Sequence, residues 1–201
     1  MRQSAFQGNA RRQRLVIMVK EPRPGRVKTR LGREIGMTRA AWWFRHQTRA
    51  LIRRLSDPRW EILLAVAPDR EGLASRVWPE RIGRLPQGQG DLGDRMARVF
   101  RSLPPGPICI IGADIPGIDR PAIAEAFSAL GRATAVLGPA YDGGYWLIGH
   151  RRTSALPAGL FNGVRWSSAH ALEDTILSLG ATPHTQIRTL NDIDEASDLP
   201  S

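Results

Sequence analysis

The run Ile108-Cys109-Ile110-Ile111-Gly112-Ala113-Asp114, followed by Ile115-Pro116-Gly117, constrains the fold more than any other stretch of the chain. An apolar run of this length bounded by Gly and Pro fits a strand buried on both faces, as in a sheet with helices packed on either side. Asp114 then stands where the strand leaves the core. Ligands of open α/β sheets bind outside the carboxyl ends of the strands, so a charge placed there is a candidate site residue. The competing reading is that Asp114 only brackets the turn before Asp119-Arg120-Pro121.

Other segments repeat the pattern. Leu15 to Val19 reads as a first buried strand, and a loop from Lys20 to Leu31 follows it, stiffened by Pro22 and Pro24. A long helix is expected from about Ile35 to Leu55, with Ala40, Trp43, Phe44, Gln47, Leu51 and Leu55 turned inward at three- and four-residue steps. Trp42 and Trp43 fit core or subunit packing better than base stacking. Glu61 to Ala67 gives a second strand, Gly72 to Val77 a short helix, and Arg81 to Leu85 a weak strand. The polar loop Pro86 to Met96 runs into a helix carrying Met96, Val99 and Phe100. After the central strand, Ile123, Ala126, Phe127 and Leu130 mark a helix stopped by Gly131. Strands over 134–138 and 145–149 flank an Asp-Gly-Gly turn, a helix spans about Ser168 to Leu179 with Gly180 as its C-cap, and Gln186 to Leu190 is a last short strand. This alternation predicts one three-layer α/β/α domain over 14–201, behind a disordered start over 1–13.

Charge narrows the partners. The net charge is +10, yet the chain through Arg59 holds 16 Lys or Arg against three acids, and the remainder is slightly acidic. All but two of the 29 basic residues are arginine, the better bidentate partner for phosphate. An anionic ligand near the first third follows. Nucleic acid is the rival, but zinc-finger spacing, RNA-binding aromatic signatures and basic regions leading into heptads are all missing. Arginine on solvated faces is the plain alternative. Cys109, the one cysteine, lies inside the central strand, which favours a reduced, cytoplasmic setting and a thiol that acts as a small hydrophobe. The apolar run behind Arg11, Arg12 and Arg14 is too short for an export signal or a membrane span.

The strand-end loops together supply Arg23, Arg26, Lys28 and Arg30, then Asp114, Asp142 and the terminal pair Asp192 and Asp194. Mg²⁺ or Mn²⁺ takes hard oxygen ligands, commonly one or two carboxylates plus substrate phosphates. Such an ion polarises a diphosphate while basic side chains neutralise the rest of its charge. The glycines of Gln89-Gly90-Asp91-Leu92-Gly93-Asp94 permit close backbone approach to a ligand, or an ordinary tight turn. Asp192 has a structural alternative as a helix cap.

With these pieces in view, the chain resembles the DUF2064 family, also described as the rSAM/selenodomain-associated or arsenosugar-biosynthesis type of glycosyltransferase, within the nucleotide-diphospho-sugar transferase (GT-A) superfamily. The resembling segments are residues 20–31, 89–96, 111–116, 137–149, Trp166-Ser167-Ser168 and Asp192-Ile193-Asp194, in the family's order. The resemblance implies a GT-A fold with a mixed, mostly parallel central sheet, a divalent-metal site and transferase activity. It sets Lys28 where related nucleotidyltransferases place a phosphate-contacting lysine, and Asp114 where they place a metal-binding aspartate. The final Asp-Ile-Asp continues as Glu195-Ala196-Ser197 rather than the family's more familiar Thr-Pro-Glu type, which leaves open which C-terminal acid faces the metal.

The expectation is therefore a transferase using Mg²⁺ or Mn²⁺, a nucleotide-activated donor and a small-molecule acceptor, with sugar transfer ahead of nucleotidyl transfer. Asp114 binds the metal with Asp142 or Asp192, unless Asp142 is the base that activates a hydroxyl. Arg23, Arg26, Lys28 and Arg30 hold phosphates, Gln89, Gly90, Asp91 and Asp94 line the nucleotide side, and Gly143, Gly144 and Tyr145 meet the acceptor. The alternatives are a nucleotidyltransferase resembling the phospholactate guanylyltransferases and molybdenum-cofactor enzymes, and a non-enzymatic anion- or nucleic-acid-binding module.

Overall fold

The computed structural model describes residues 12–115 and 117–190 of the 201-residue chain. Among the described residues, seven strands form one sheet: β1 Gln13–Lys20, β2 Trp60–Ala67, β3 Gly83–Pro86, β4 Ile108–Gly112, β5 Ala135–Pro139, β6 Tyr145–His150 and β7 His184–Gln186. Their spatial order is β3-β2-β1-β4-β6-β5-β7, and only β6 runs against the others. The expected three-layer α/β/α architecture with a mixed, mostly parallel sheet is what the chain adopts. The strand assignment of the central run holds: Ile108, Cys109, Ile110 and Ile111 are all at most 2% exposed. Burial also raises the pKa of the Cys109 thiol.

The period-two alternation of β1 divides the core. Leu15, Ile17 and Val19 join the cluster under helices α2 (Met37–Leu55) and α5 (Arg120–Ala129). Val16 joins the opposite cluster under α4 (Leu92–Ser102), with Leu63 and Ile110 beside it in register. Helix α2 buries Phe44, Leu51, Ile52 and Leu55 toward the sheet, whereas Trp42 is 62% exposed and its ring meets that of His46 at a tilt, with centroids 4.0 Å apart. Trp42 is thus outside the core.

Several boundaries differ from expectation for local reasons. The first basic loop ends early, because α1 starts at Thr29 and runs to Ile35. Gly36 at φ 94° then separates α1 from α2, and α2 is the long helix expected from about Ile35 to Leu55, beginning two residues later. Helix α3 spans Asp69–Ala74 rather than beginning at Gly72, and α6 spans Ala171–Ser178, three residues later than expected at its start. The last strand is His184–Gln186, and Leu190 adds only an isolated bridge to Ala140. The leading residues 1–11 and the tail 191–201 lie outside the described residues. Among the described residues, no helix is long and apolar enough to cross a membrane.

His150 closes β6 on the side of the sheet under Phe100. It is 2% exposed, its Nδ1 accepts the Arg152 N–H at 3.0 Å, and its Nε2 is buried without a partner among the described residues. Burial first, then the charges of Arg152 and Arg151, push its pKa down to about 4. The unfolded chain takes up a proton near pH 6.5 that the folded chain refuses until about pH 4, so stability falls as pH drops through that window. The loss is expected to reach about 3 kcal/mol at pH 4. Urea denaturation of the wild type and of His150→Gln across pH 7 to 4 reads it: the variant's curve should be the flatter, and parallel curves would refute the assignment.

Candidate active site

The sheet order determines which loops can meet. Chain connections leave β1 toward β2 on one side, while β4 lies on the other, so the crevice between β1 and β4 is a topological switch point. Strands β1 to β5 all finish at the same edge, and β6 begins there. That edge carries the loop after β1, the start of α4, the residues after β4, and the β5–β6 turn.

Beyond β1, the Arg26 N–H closes a turn on the Arg23 carbonyl at 3.0 Å with Gly25 at φ 73°, and Val27 is buried as an anchor. Lys28 follows in left-handed geometry, φ 45° and ψ 52°, as the N-cap of α1. This conformation disfavours any residue with a Cβ. The Lys28 carbonyl still accepts the first helical bond from Gly32, and its ammonium turns to the neighbouring loop. Lys28 Nζ stands 3.1 Å from Asp114 Oδ2, with the lysine side chain 9% exposed and the aspartate 41%. The switch point is thus bridged by a cation from one strand end and a carboxylate from the next.

The facing walls have their own supports. Asp91 caps α4 by accepting the Asp94 N–H at 2.9 Å, and Asp94 accepts the Asp91 N–H at 3.2 Å, a reciprocal capping box. Arg95 donates to the Gly90 carbonyl at 3.0 Å. Asp142 Oδ1 accepts the Gly144 N–H at 2.9 Å, which fixes the carboxylate on its turn. The Gly143 carbonyl accepts the Leu172 N–H at 3.0 Å, tying that turn to the start of α6. The segment Trp166–Ala169 is held from behind by Arg165, whose guanidinium grips Asp174 with two bonds of 2.8 Å. That pairing, by hydrogen bonding foremost, holds the Asp174 carboxyl well below the usual carboxylate range.

These loops enclose a cleft of about 940 Å³. Of the residues expected at the site, Arg26, Lys28, Arg30, Gly90, Asp91, Asp114 and Asp142 line it. Arg23 and Gln89 line an adjoining cavity instead. Asp94 is engaged in the capping box, and Gly143 and Gly144 support the Asp142 turn from outside the lining. Tyr145 also stands outside it, packed against the α4 side of the core with its hydroxyl 3.4 Å from Thr175 Oγ1, and burial raises its pKa. Asp192 lies outside the described residues. Sequence reasoning gave no role to Gln87, Arg95, Trp166 and Ser167, which the cleft also exposes. Gln87 donates to the Val19 and Ala65 carbonyls at 3.1 and 2.8 Å, joining the ends of β1 and β2 beneath the cleft. The Trp166-Ser167-Ser168 motif was its own signal, whereas nothing local marks Gln87.

Asp114 and Asp142 offer hard oxygen donors to one cleft, the kind of ligand that Mg²⁺ or Mn²⁺ shares with phosphate oxygens. Among the described residues, no group of three His, Cys, Asp or Glu side chains could hold a metal ion by itself. The donor set therefore fits an ion that arrives with, and is completed by, a phosphorylated ligand.

Comparison with solved structures gives the same architecture. A crystal structure described as that of a "putative nucleotide-diphospho-sugar transferase" from Desulfovibrio desulfuricans G20 is similar at 29% identity and TM-score 0.81, over 91% of this chain and 82% of that one. The 4-diphosphocytidyl-2C-methyl-D-erythritol synthase of Anaerococcus prevotii DSM 20548 shares the fold at TM-score 0.60 and 10% identity, over 94% and 95% of the two chains. Rv0371C from Mycobacterium tuberculosis H37Rv, solved in complex with manganese, does so at TM-score 0.56 and 12% identity, over 93% and 95%. No curated protein matches the chain. Residues 50–168, which include Asp91, Asp114 and Asp142, match the family described as "Uncharacterized protein conserved in bacteria (DUF2064)", and the chain belongs to that family.

Proposed function

We propose that the protein is a divalent-metal-dependent transferase that takes a nucleotide-activated donor, transferring a glycosyl group to a small-molecule acceptor. The observation that carries this reading is the Lys28–Asp114 pair, 3.1 Å apart at the switch point of the sheet and lining a cleft that Asp142 also lines. A cation beside a carboxylate is the arrangement a metal-bound diphosphate requires, since the phosphates and the ion carry opposite charges and need opposite partners.

Lys28, Arg26 and Arg30 hold the diphosphate and neutralise charge that grows on it as the bond to the transferred group breaks. Gly90 and Asp91 line the nucleotide side, and Arg23 and Gln89 extend it into the adjoining cavity. Asp114 and Asp142 would hold the metal, which supplies Lewis-acid stabilisation of the leaving diphosphate. Asp142 has a second role open to it as the base that takes the proton of an acceptor hydroxyl. The likeness to the Desulfovibrio structure supports sugar transfer ahead of nucleotidyl transfer.

The test is thermal denaturation with nucleoside diphosphates and sugar nucleotides, each with and without Mn²⁺. A donor that binds the folded chain alone raises the midpoint, by about 2.7 kcal/mol of stability at a hundredfold excess over its Kd. Stabilisation by a sugar nucleotide only in the presence of Mn²⁺, followed by release of a nucleoside diphosphate on turnover, is the expected result. Pyrophosphate release from a nucleoside triphosphate would shift the assignment to nucleotidyl transfer. Asp142→Asn divides the two roles: loss of Mn²⁺-dependent binding marks a ligand, and retained binding with lost turnover marks the base.

A further inference from the structure

One wall of the main cleft has no part in holding the donor. Leu92, the first residue of α4, and Trp166, Ser167 and Ala169, on the segment before α6, all line the cleft there. Leu92 is 45% exposed and Trp166 is half-buried, so the wall keeps apolar surface open to solvent.

The indole of Trp166 is firmly seated. Gly93 packs against it, since a Cβ there would come within 2.7 Å of Trp166 Cζ2 and 2.6 Å of Phe161 Cβ. The Phe161 ring meets it at a tilt, with centroids 6.0 Å apart. Nε1 is buried, so what the side chain offers the cleft is carbon. Ser167 follows at φ 58°, a conformation that disfavours any residue with a Cβ. Its neighbour Ser168 spends its hydroxyl within the segment, donating to the Arg165 carbonyl at 2.6 Å and accepting the His170 N–H at 3.2 Å. Ser167 is exposed, and its hydroxyl carries no hydrogen bond among the described residues.

The wall is also uncharged. Of the cations in the cleft, Lys20, Arg26 and Arg95 border the adjoining cavity as well, and Lys28 and Arg30 belong to the loop after β1 and to α1. The charge tied to this wall is that of Asp142, because the turn that carries it packs on the Ala169 carbonyl through Gly143 and bonds Leu172. An anionic group seated here would meet a carboxylate with no cation from the wall to offset it.

Resting on the transferase reading above, we infer that this wall is the acceptor subsite and that the acceptor is an uncharged, ring-bearing alcohol. Its apolar ring face lies against Trp166 and Leu92, and its hydroxyl groups meet Ser167 and Asp142. A few polar groups set in an apolar, aromatic wall are what orients a ligand of that kind. In transfer, the acceptor oxygen bonds to the glycosyl carbon as the bond from that carbon to the diphosphate breaks. The diphosphate leaves with the electron pair, and the hydroxyl proton passes to a base, for which the turn supplies Asp142.

Calorimetric titration of the full chain, saturated with Mn²⁺ and with ADP, CDP, GDP or UDP in turn, tests this. Phenyl β-D-glucoside, phenyl β-D-galactoside and myo-inositol serve as uncharged probes, and glucose 6-phosphate as the anionic one. At least one uncharged probe is expected to bind, about tenfold or more tighter than glucose 6-phosphate. Trp166→Ala should lower that affinity about tenfold, and Trp166→Phe should keep it within about threefold. Ser167→Ala, which keeps the Cβ and loses only the hydroxyl, should lower it about fivefold. Nucleoside diphosphate binding should be unchanged in all three variants. The inference is overturned, with the transferase reading left in place, if no uncharged probe binds, if glucose 6-phosphate binds as tightly, or if Trp166→Ala binds the probes like the wild type. An equal loss of probe and nucleotide binding in Trp166→Ala also overturns it, since the indole would then act only on the shape of the cleft. Failure of every nucleoside diphosphate to bind the wild type removes the transferase reading and this inference with it. Should Trp166→Ala not fold, the wild-type ranking of the probes and the loss in Ser167→Ala decide.

Discussion

Asp114→Asn is expected to lower Mn²⁺-dependent turnover by about a thousandfold or more and to abolish Mn²⁺-dependent binding of nucleoside diphosphates, while the melting temperature moves only slightly. The asymmetry follows from where the carboxylate sits. Its pairing with Lys28 is partly solvated, with 41% of the aspartate side chain exposed, so the ion pair itself contributes only about 0–1 kcal/mol to folding. A cation held against a diphosphate is worth several kcal/mol in the transition state, and each 1.36 kcal/mol is about tenfold in rate. Lys28 supplies the complementary experiment. Lys28→Ala and Lys28→Gly both remove the ammonium and should both cost about a hundredfold in kcat/KM. They part on stability, because the residue sits at φ 45° and ψ 52°, where a Cβ costs about 1 kcal/mol and glycine is free of that strain. Urea denaturation should therefore find the glycine variant the more stable of the two. Retention of metal-dependent nucleotide binding by Asp114→Asn in calorimetry would sink the site assignment.

How much of this was legible in the sequence depends on the range of the interaction involved. The central strand was legible because burial on both faces leaves an unbroken apolar run, and Asp114 was legible as the first charge after it. Helix α1 was not, since its seven residues, with Arg30, Arg33 and Glu34 among them, are too few and too polar to show an apolar stripe and read as part of the basic loop. Asp91 and Asp94 were read as nucleotide contacts, yet their three-residue spacing ahead of Met96 and Val99 is also the signature of a helix cap, and Asp94 is spent there. The arginine surplus has a second use that composition does not show. Arg14, Arg49, Arg54, Arg84, Arg98 and Arg152 donate to backbone carbonyls of other segments, most of them loops, and pin those segments in place. Their partners lie between 6 and 91 residues away, so composition could register the charge but not its internal use. Six of the 29 basic residues thus serve the fold, while Arg26, Lys28 and Arg30 line the cleft.

Gly143→Ala is expected to destabilise the fold by about 3 kcal/mol or more and to cost activity in whatever fraction still folds. Two independent penalties coincide at this position. Its φ of 84° disfavours any L side chain, and a Cβ built there would collide with the backbone carbonyl oxygen of Ala169. Backbone atoms cannot yield by changing rotamer, so the β5–β6 turn or the 166–169 segment must move. The turn bears Asp142, oriented by the Gly144 N–H, and the Gly143 carbonyl anchors Leu172 at the start of α6. A displacement would therefore shift a site carboxylate and the adjoining wall of the cleft together. Gly163→Ala is the control: φ is 73° there, but a Cβ would meet nothing within 4 Å, so only the conformational penalty of about 1 kcal/mol applies. The two variants should differ by about 2 kcal/mol in urea denaturation, with kcat/KM reduced in Gly143→Ala alone. Equal costs in both would mean that the turn is free to relax away from Ala169, and that Asp142 is not positioned by this contact.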